Sequence, residues 1–256
     1  MADGADNPTL VLLHGIGGAG RIWEGVAARL AARGFASLAL DLPGYGQRQS
    51  VTELSCDEVA ADVEAAIARR GLVRPALVGH SFGGMVAQTL LRRRRHVYSA
   101  AVLACTSPAF GDAAGALQAR FLAQRLGPLD LGRTVAELAP GLVDAMWGER
   151  IDAQARATAV AVMGAVSAAT YRAAVRCLVT FDERANLARI DVPTLCLAGE
   201  RDPPAPAPMM ERMAARISGA RFVCLMGVGH LANLEAPEAF ATAIGDFLRA
   251  LPKAAA

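Results

Sequence analysis

Gly79-His80-Ser81-Phe82-Gly83 sets a serine between two glycines, directly after the apolar run Ala76-Leu77-Val78 and at the start of a helical stretch, Phe82 to about Arg94. A serine on so tight a strand-to-helix turn presents its hydroxyl at the end of a sheet, and the turn leaves no room for side chains two residues to either side. The dipole of the following helix points its positive end at the same place. Such a hydroxyl attacks a carbonyl only if a base removes its proton and a carboxylate orients that base. The chain has four histidines. His14 precedes a glycine loop, His80 lies inside the serine motif, and His96 follows the basic run Arg92 to Arg95. His230, in Gly227-Val228-Gly229-His230, comes just after the expected strand Arg221 to Met226 and is the candidate base. Asp202, which ends Leu197-Ala198-Gly199-Glu200-Arg201-Asp202, is the preferred carboxylate, with Glu200 and Asp182 as rivals. Glu200 sits closer to the strand end and can bond within its own turn, whereas Asp41 precedes the serine and is assigned to the Pro-Gly turn beside it.

Acyl transfer also needs N–H donors aimed at the developing oxyanion. The Phe82 amide, next after the serine, is one candidate, and Ile16, in the loop His14-Gly15-Ile16-Gly17-Gly18, is the other. That loop does not read as a dinucleotide cradle, because Gly15-x-Gly17-Gly18-x-Gly20 departs from the G-x-G-x-x-G spacing. Trp23, Met146, Trp147 and Met163 are candidates to line an acyl pocket, with plain core packing as the competing assignment. An acidic substrate requires an arginine inside that pocket, and Arg120, Arg125 and Arg133 are all eligible. The run Arg92 to Arg95 reads as a solvated helix end whose cations complement the dipole. Pro203 to Pro208 stiffens the loop after Asp202.

The elements that must hold these residues alternate. Thr9 to Leu13, Phe35 to Leu40, Pro75 to Gly79 and Ser99 to Ala104 are short apolar runs of the kind found in strands covered on both faces. Between them fall helical patterns: Arg21 to Arg33, stopped by Gly34, and one opened by a capping box of Ser55 and Glu58. Residues 108–186 break the rhythm, with helical patterns near Ala113 to Leu126, Val135 to Trp147 and Ala153 to Val179 and no strand. The alternation resumes with Pro193 to Ala198, a helix near Met209 to Ile217, Arg221 to Met226, and a last helix with Pro237 at its first position. The expected fold is α/β, a mostly parallel sheet of about six strands flanked by helices. Its core comprises residues 1–107 and 187–256, interrupted by a helical cap at 108–186.

Composition fits such a protein. Of 256 residues, 54% are hydrophobic and 20% charged, and the net charge of +2 supplies no field that selects nucleic acid or an anionic membrane. Lys253 is the only lysine among 26 basic residues. Five cysteines lie far apart without a C-x-x-C pair, and no secretory leader or apolar span is seen, so a cytoplasmic protein with free thiols is expected. The oligomeric state, monomer or homodimer, stays open.

Together, His14-Gly15, Asp41-Leu42-Pro43-Gly44-Tyr45-Gly46, Gly79-His80-Ser81-Phe82-Gly83-Gly84, Gly199-Glu200-Arg201-Asp202 and Gly229-His230 resemble the α/β-hydrolase superfamily over nearly the whole chain. Gly84-Met85-Val86-Ala87-Gln88 and the stretch Gly229 to Glu238 are most similar to the 3-oxoadipate enol-lactonase group and neighbouring small carboxylesterases. The resemblance implies the chain order Ser81, Asp202, His230, a helical lid, no metal or cofactor, and a serine hydrolase acting on a small ester or lactone through an acyl-enzyme. Only eight residues precede Thr9, so two N-terminal strands usual in the family are expected to be missing, as in the hydroxynitrile lyase and methylesterase group. The same triad also serves C–C bond hydrolysis, acyl transfer to an alcohol or peroxide, and lyase chemistry, and the fold can act as a slow-turnover receptor.

Overall fold

The computed structural model describes residues 7–111, 115–150 and 152–252. Six strands, β1 (Leu10–Leu13), β2 (Ser37–Leu40), β3 (Ala76–His80), β4 (Ala101–Ala104), β5 (Thr194–Gly199) and β6 (Arg221–Leu225), form one parallel sheet in the order β2-β1-β3-β4-β5-β6. The helices are α1 (Glu24–Ala32), α2 (Cys56–Arg69), α3 (Phe82–Arg94), α4 (Ala116–Asp130), α5 (Val135–Asp144), α6 (Ala153–Gly164), α7 (Ala168–Val179), α8 (Ala207–Ala214), α9 (Ala232–Glu235) and α10 (Pro237–Arg249).

Both faces of the sheet are covered, and the side-chain period of two sorts its residues between them. Leu10 and Leu12 of β1 pack with Trp23, Val26 and Leu30 near α1 and with Phe240, Ile244 and Phe247 of α10. Val11 and Leu13, one residue out of phase, join Val59 and Val63 of α2, Val86 and Leu90 of α3, and Met210 of α8. All residues of β1 and β3 are buried, which explains why these strands carry continuous apolar runs instead of an alternating pattern.

Local signals set the boundaries. The Ser55 hydroxyl accepts from the Glu58 N–H at 3.2 Å and the Glu58 carboxylate accepts from the Ser55 N–H at 3.0 Å, so α2 starts with the expected box, a cap typically worth ~1 kcal/mol. Thr134 and Glu137 do the same for α5. The segment expected as one helix from Ala153 to Val179 is two, α6 and α7, bent 97° apart. Ser167 caused the break by accepting the Thr170 N–H and starting a new helix. The expected helix from Ala113 begins at Ala116, residues 113 and 114 lying outside the described residues. The arginine run closes α3 with Arg92, Arg93 and Arg94 exposed, and most of it is also ion-paired: Arg92 reaches Asp57 and Glu183, Arg93 reaches Asp57 and Glu64, and Arg95 reaches Asp191.

Four helices, α4 to α7, are inserted between β4 and β5; α4 packs on α7, and α5 on α6. The five cysteines are free, but the fold brings two of them together, with the Sγ atoms of Cys56 and Cys177 3.6 Å apart where α2 meets α7. Among the described residues no single helix is long and apolar enough to cross a membrane.

Candidate active site

Parallel strands end at one edge of the sheet, and the three candidate side chains all follow strand ends there. Ser81 comes directly after β3, with φ +55° and ψ −119°. That conformation is unfavourable for any residue with a Cβ, and the surroundings hold it. The Ser81 N–H donates to the Ala104 carbonyl at 2.9 Å, and the Thr106 hydroxyl donates to the Ser81 carbonyl at 2.7 Å. A methyl on Gly79 would run into the Gly83 carbonyl, and one on Gly83 into the Leu13 carbonyl. The two flanking glycines are therefore required by packing, as the motif implied.

The Ser81 hydroxyl lies 2.9 Å from His230 Nε2, and His230 Nδ1 lies 2.9 Å from each Asp202 carboxylate oxygen. With the serine donating to Nε2, Nδ1 carries the proton and donates to Asp202. Asp202 is 3% exposed and also accepts the Ala205 N–H at 2.8 Å. Burial, the largest influence, pushes its pKa up. The attraction and hydrogen bond of His230, together with the Ala205 N–H, outweigh that and hold it below the usual carboxylate value. The rivals are occupied elsewhere: Glu200 accepts the Gly227 N–H of the loop after β6 at 2.9 Å instead of bonding within its own turn, and Asp182 pairs with Arg184. Asp41 does more than hold its own turn, since it accepts the Gly20 N–H at 2.6 Å and so ties the glycine loop to the Pro-Gly segment.

Two buried histidines act as struts. His14 donates from Nδ1 to the Gly15 carbonyl at 2.9 Å and accepts the Leu42 N–H on Nε2 at 3.1 Å; burial lowers its pKa to about 4. His80 donates from Nε2 to the His230 carbonyl at 2.6 Å, and burial, reinforced by the nearby His230, lowers its pKa to about 3. Both are neutral near pH 7. Sequence reading passed over His80 as a mere spacer in the motif, because its partner lies 150 residues away.

Glu235 was also missed. Its carboxylate accepts the N–H groups of Gly148, Gly229 and Leu231 at 2.8, 2.9 and 3.0 Å, while the His230 N–H donates to the Met146 carbonyl at 2.8 Å. One carboxylate thus stitches the His230 loop to the segment after α5. Burial raises its pKa above the ordinary value, opposed by the three N–H donors.

A cavity of about 460 Å³ lies over Ser81. Met146 and Met163 line it, as does Ile16. The N–H groups of Ile16 and Phe82 take no protein acceptor among the described residues. Trp23 and Trp147 lie outside the lining. The short 3-10 turn Gly20–Trp23 carries the Trp23 ring into the core, where it packs 5.8 Å from Phe240, centroid to centroid. Trp147, 7% exposed, turns away from the cavity and donates its indole N–H to the Arg150 carbonyl at 2.8 Å.

Comparison with known proteins identifies the family. A model of the alpha/beta hydrolase family matches residues 10–243. The chain is 30% identical over 253 residues, covering 95% of each protein, to the pimeloyl-[acyl-carrier protein] methyl ester esterase of Sodalis glossinidius (strain morsitans). Among solved structures, a hydrolase from Pseudomonas aeruginosa PA01 superimposes with a TM-score of 0.86 at 29% identity, covering 96% of this chain and 91% of that one. The enol-lactonase from Burkholderia xenovorans LB400 shares the fold, with a TM-score of 0.84 at 21% identity over 97% of this chain and 94% of that one. The chain belongs to the alpha/beta hydrolase family and is a hydrolytic enzyme of that fold.

Proposed function

We propose that the protein is a serine hydrolase that cleaves a small carboxylic ester or lactone through an acyl-enzyme. The observation that carries the reading is the unbroken chain from the Ser81 hydroxyl through His230 to Asp202 beneath an apolar cavity. As Ser81 Oγ bonds to the substrate carbonyl carbon, His230 Nε2 takes the serine proton, and Asp202 stabilises the resulting imidazolium. The oxyanion is received by the Ile16 and Phe82 N–H groups, each such donor being worth ~10²- to 10³-fold in rate. Collapse breaks the bond to the leaving oxygen, to which His230 returns the proton. Water then attacks the acyl-enzyme, His230 again acting as base, and releases the acid and free Ser81.

The name of the esterase relative supports ester chemistry, and a serine nucleophile needs no metal for it. In this reading residues 108–186 form a cap over a core of 1–107 and 187–256. The methionines and leucines of the lining suit a small, partly apolar acyl group. The substrate is a free small molecule and the protein acts in the cytoplasm.

Stopped-flow release of p-nitrophenol from p-nitrophenyl acetate and butyrate tests the reading. Wild type should give steady turnover, with a burst of about one equivalent where deacylation is slow, and Ser81→Ala should lose both phases. Full turnover by Ser81→Ala would overturn the mechanism. Product analysis of the acid and alcohol separates hydrolysis from acyl transfer and from lyase chemistry.

A further inference from the structure

Three arginines of the inserted helices were eligible to face the cavity, and the structure separates them. Arg120 and Arg133 are exposed, Arg133 donating to the Glu137 carbonyl at 3.2 Å. Arg125 on α4 is half-buried and lines the cavity over Ser81. No Asp or Glu lines that cavity among the described residues, and its two histidines are His80, held neutral by burial, and His230, committed to Ser81 and Asp202.

Arg125 is stacked on one side. Its guanidinium lies 5.2 Å from the centroid of the Phe121 ring, one helical turn earlier, and the Tyr171 side chain of α7 lines the same cavity. Neither ring carries charge: burial raises the Tyr171 pKa, so the phenol stays neutral. Neighbouring arginines are paired, Arg172 with Asp130 and Arg156 with Asp144. Arg125 has no carboxylate within ion-pair distance among the described residues. Stacking fixes the guanidinium plane while leaving N–H donors at its edge. The neutral Tyr171 phenol can donate its O–H to a group bound in the cavity. A fixed cation and a phenol donor in an otherwise apolar cavity make a site for a planar anion, which would satisfy both.

Resting on the ester-hydrolase reading above, we propose that Arg125 and Tyr171 form a carboxylate subsite, so that the preferred substrates are half-esters of dicarboxylic acids. The scissile carbonyl sits at Ser81 and the charged end lies among the inserted helices. The product of such a half-ester is a dicarboxylate, and the enzyme supplying the substrate must leave one acid esterified and the other free.

The test is a matched series of ethyl half-esters of four- to eight-carbon dicarboxylic acids, each paired with the analogue whose free acid is a neutral amide. Wild type should favour the acid at its best chain length by about 10- to 100-fold in kcat/KM, the range expected of hydrogen bonds to a charged group. Arg125→Met, which keeps an unbranched stem against Phe121, should collapse that ratio towards one, mainly through KM. Arg125→Lys should retain part of it, and Arg120→Met, on the exposed side of the same helix, should retain all of it. No preference in wild type, or a ratio unchanged in Arg125→Met, would overturn the subsite. Calorimetric titration with the free dicarboxylate is independent of catalysis. Binding at least tenfold weaker in Arg125→Met supports the subsite even if Ser81 proves not to be the nucleophile, and equal binding refutes it. A folded wild type that turns over neither member of any pair, nor p-nitrophenyl acetate, counts against the hydrolase reading alone.

Discussion

The sheet edge and the inserted helices are built on opposite terms. At the edge each group of the Ser81, His230 and Asp202 chain has a partner within hydrogen-bond distance, and His14 and His80 brace the loops behind it. Across the cavity, α4 to α7 and the loop after α5 offer the apolar side chains Met146, Met163, Phe121 and Leu178, which carry no hydrogen-bond donor, and Leu117 remains 42% exposed. Methionine adapts its shape at little energetic penalty, whereas a catalytic hydrogen bond tolerates almost no displacement. Under the proposed mechanism, the difference assigns the reaction to a hydrogen-bonded edge and the choice of substrate to an apolar wall. Substitutions at the edge should therefore reduce rate for every substrate, and substitutions in the wall should redistribute rate among substrates.

The largest effect is expected at Asp202. Asp202→Asn keeps the shape but offers His230 an amide in place of a charged acceptor. It should lower kcat by about 10⁴-fold with KM little changed and with an unaltered fold by circular dichroism. A loss of less than tenfold would remove Asp202 from the mechanism.

Glu235 joins the two regions, so it tests whether they are separable. Glu235→Ala leaves three N–H groups without their acceptor and loosens both the His230 loop and the segment after α5. A fall in kcat of about 10- to 100-fold is expected from misplacement of His230, together with a lower melting temperature. Glu235→Gln, which keeps one acceptor oxygen, should recover part of both.

The bracing histidines predict how stability follows pH. An unfolded histidine takes a proton near pH 6.5, but His14 and His80 do so only at about 4 and about 3 in the fold. Between those limits the unfolded chain binds more protons, so stability falls as pH drops below 6.5 and levels off beneath the folded values. Each histidine contributes a slope of up to about 1.4 kcal/mol per pH unit. Urea denaturation at pH 7, 6 and 5 should show this slope, and His14→Gln should flatten it.

The smallest effect is reserved for the wall. Met163→Ala enlarges the cavity beside the glycine loop and should shift preference towards longer acyl chains by roughly threefold to tenfold in kcat/KM, with p-nitrophenyl acetate barely affected. Equal losses across all acyl lengths would place Met163 with the hydrogen-bonded edge and undo the contrast.

The same contrast explains what could be read from the sequence. Ser81, Asp202 and His230 each lie just past an apolar run that forms a strand, so order along the chain was enough to propose their meeting at one edge. The six-strand sheet was equally legible, because buried parallel strands carry unbroken apolar runs. His80 was hidden because its partner, the His230 carbonyl, is distant in the chain, and Glu235 because its tie to Gly148 joins a segment 87 residues away to its local bonds with Gly229 and Leu231. Arg125 could be counted as a candidate but not chosen, since its place in the cavity lining depends on how α4 packs against α7. Trp23 and Trp147 looked like pocket walls by position alone, and the fold used both for packing. The hidden break at Ser167 did have a signal, a serine placed to cap a helix, overshadowed by the apolar pattern running through it.

Intact-protein mass spectrometry after treatment with diethyl p-nitrophenyl phosphate tests the central claim most directly, because the reagent is trapped only by an activated nucleophile. The account predicts a single diethylphosphoryl adduct, mapped to Ser81 by peptide sequencing, absent from Ser81→Ala and formed orders of magnitude more slowly in Asp202→Asn. Labelling at another residue, or equal labelling of Ser81→Ala, would contradict it.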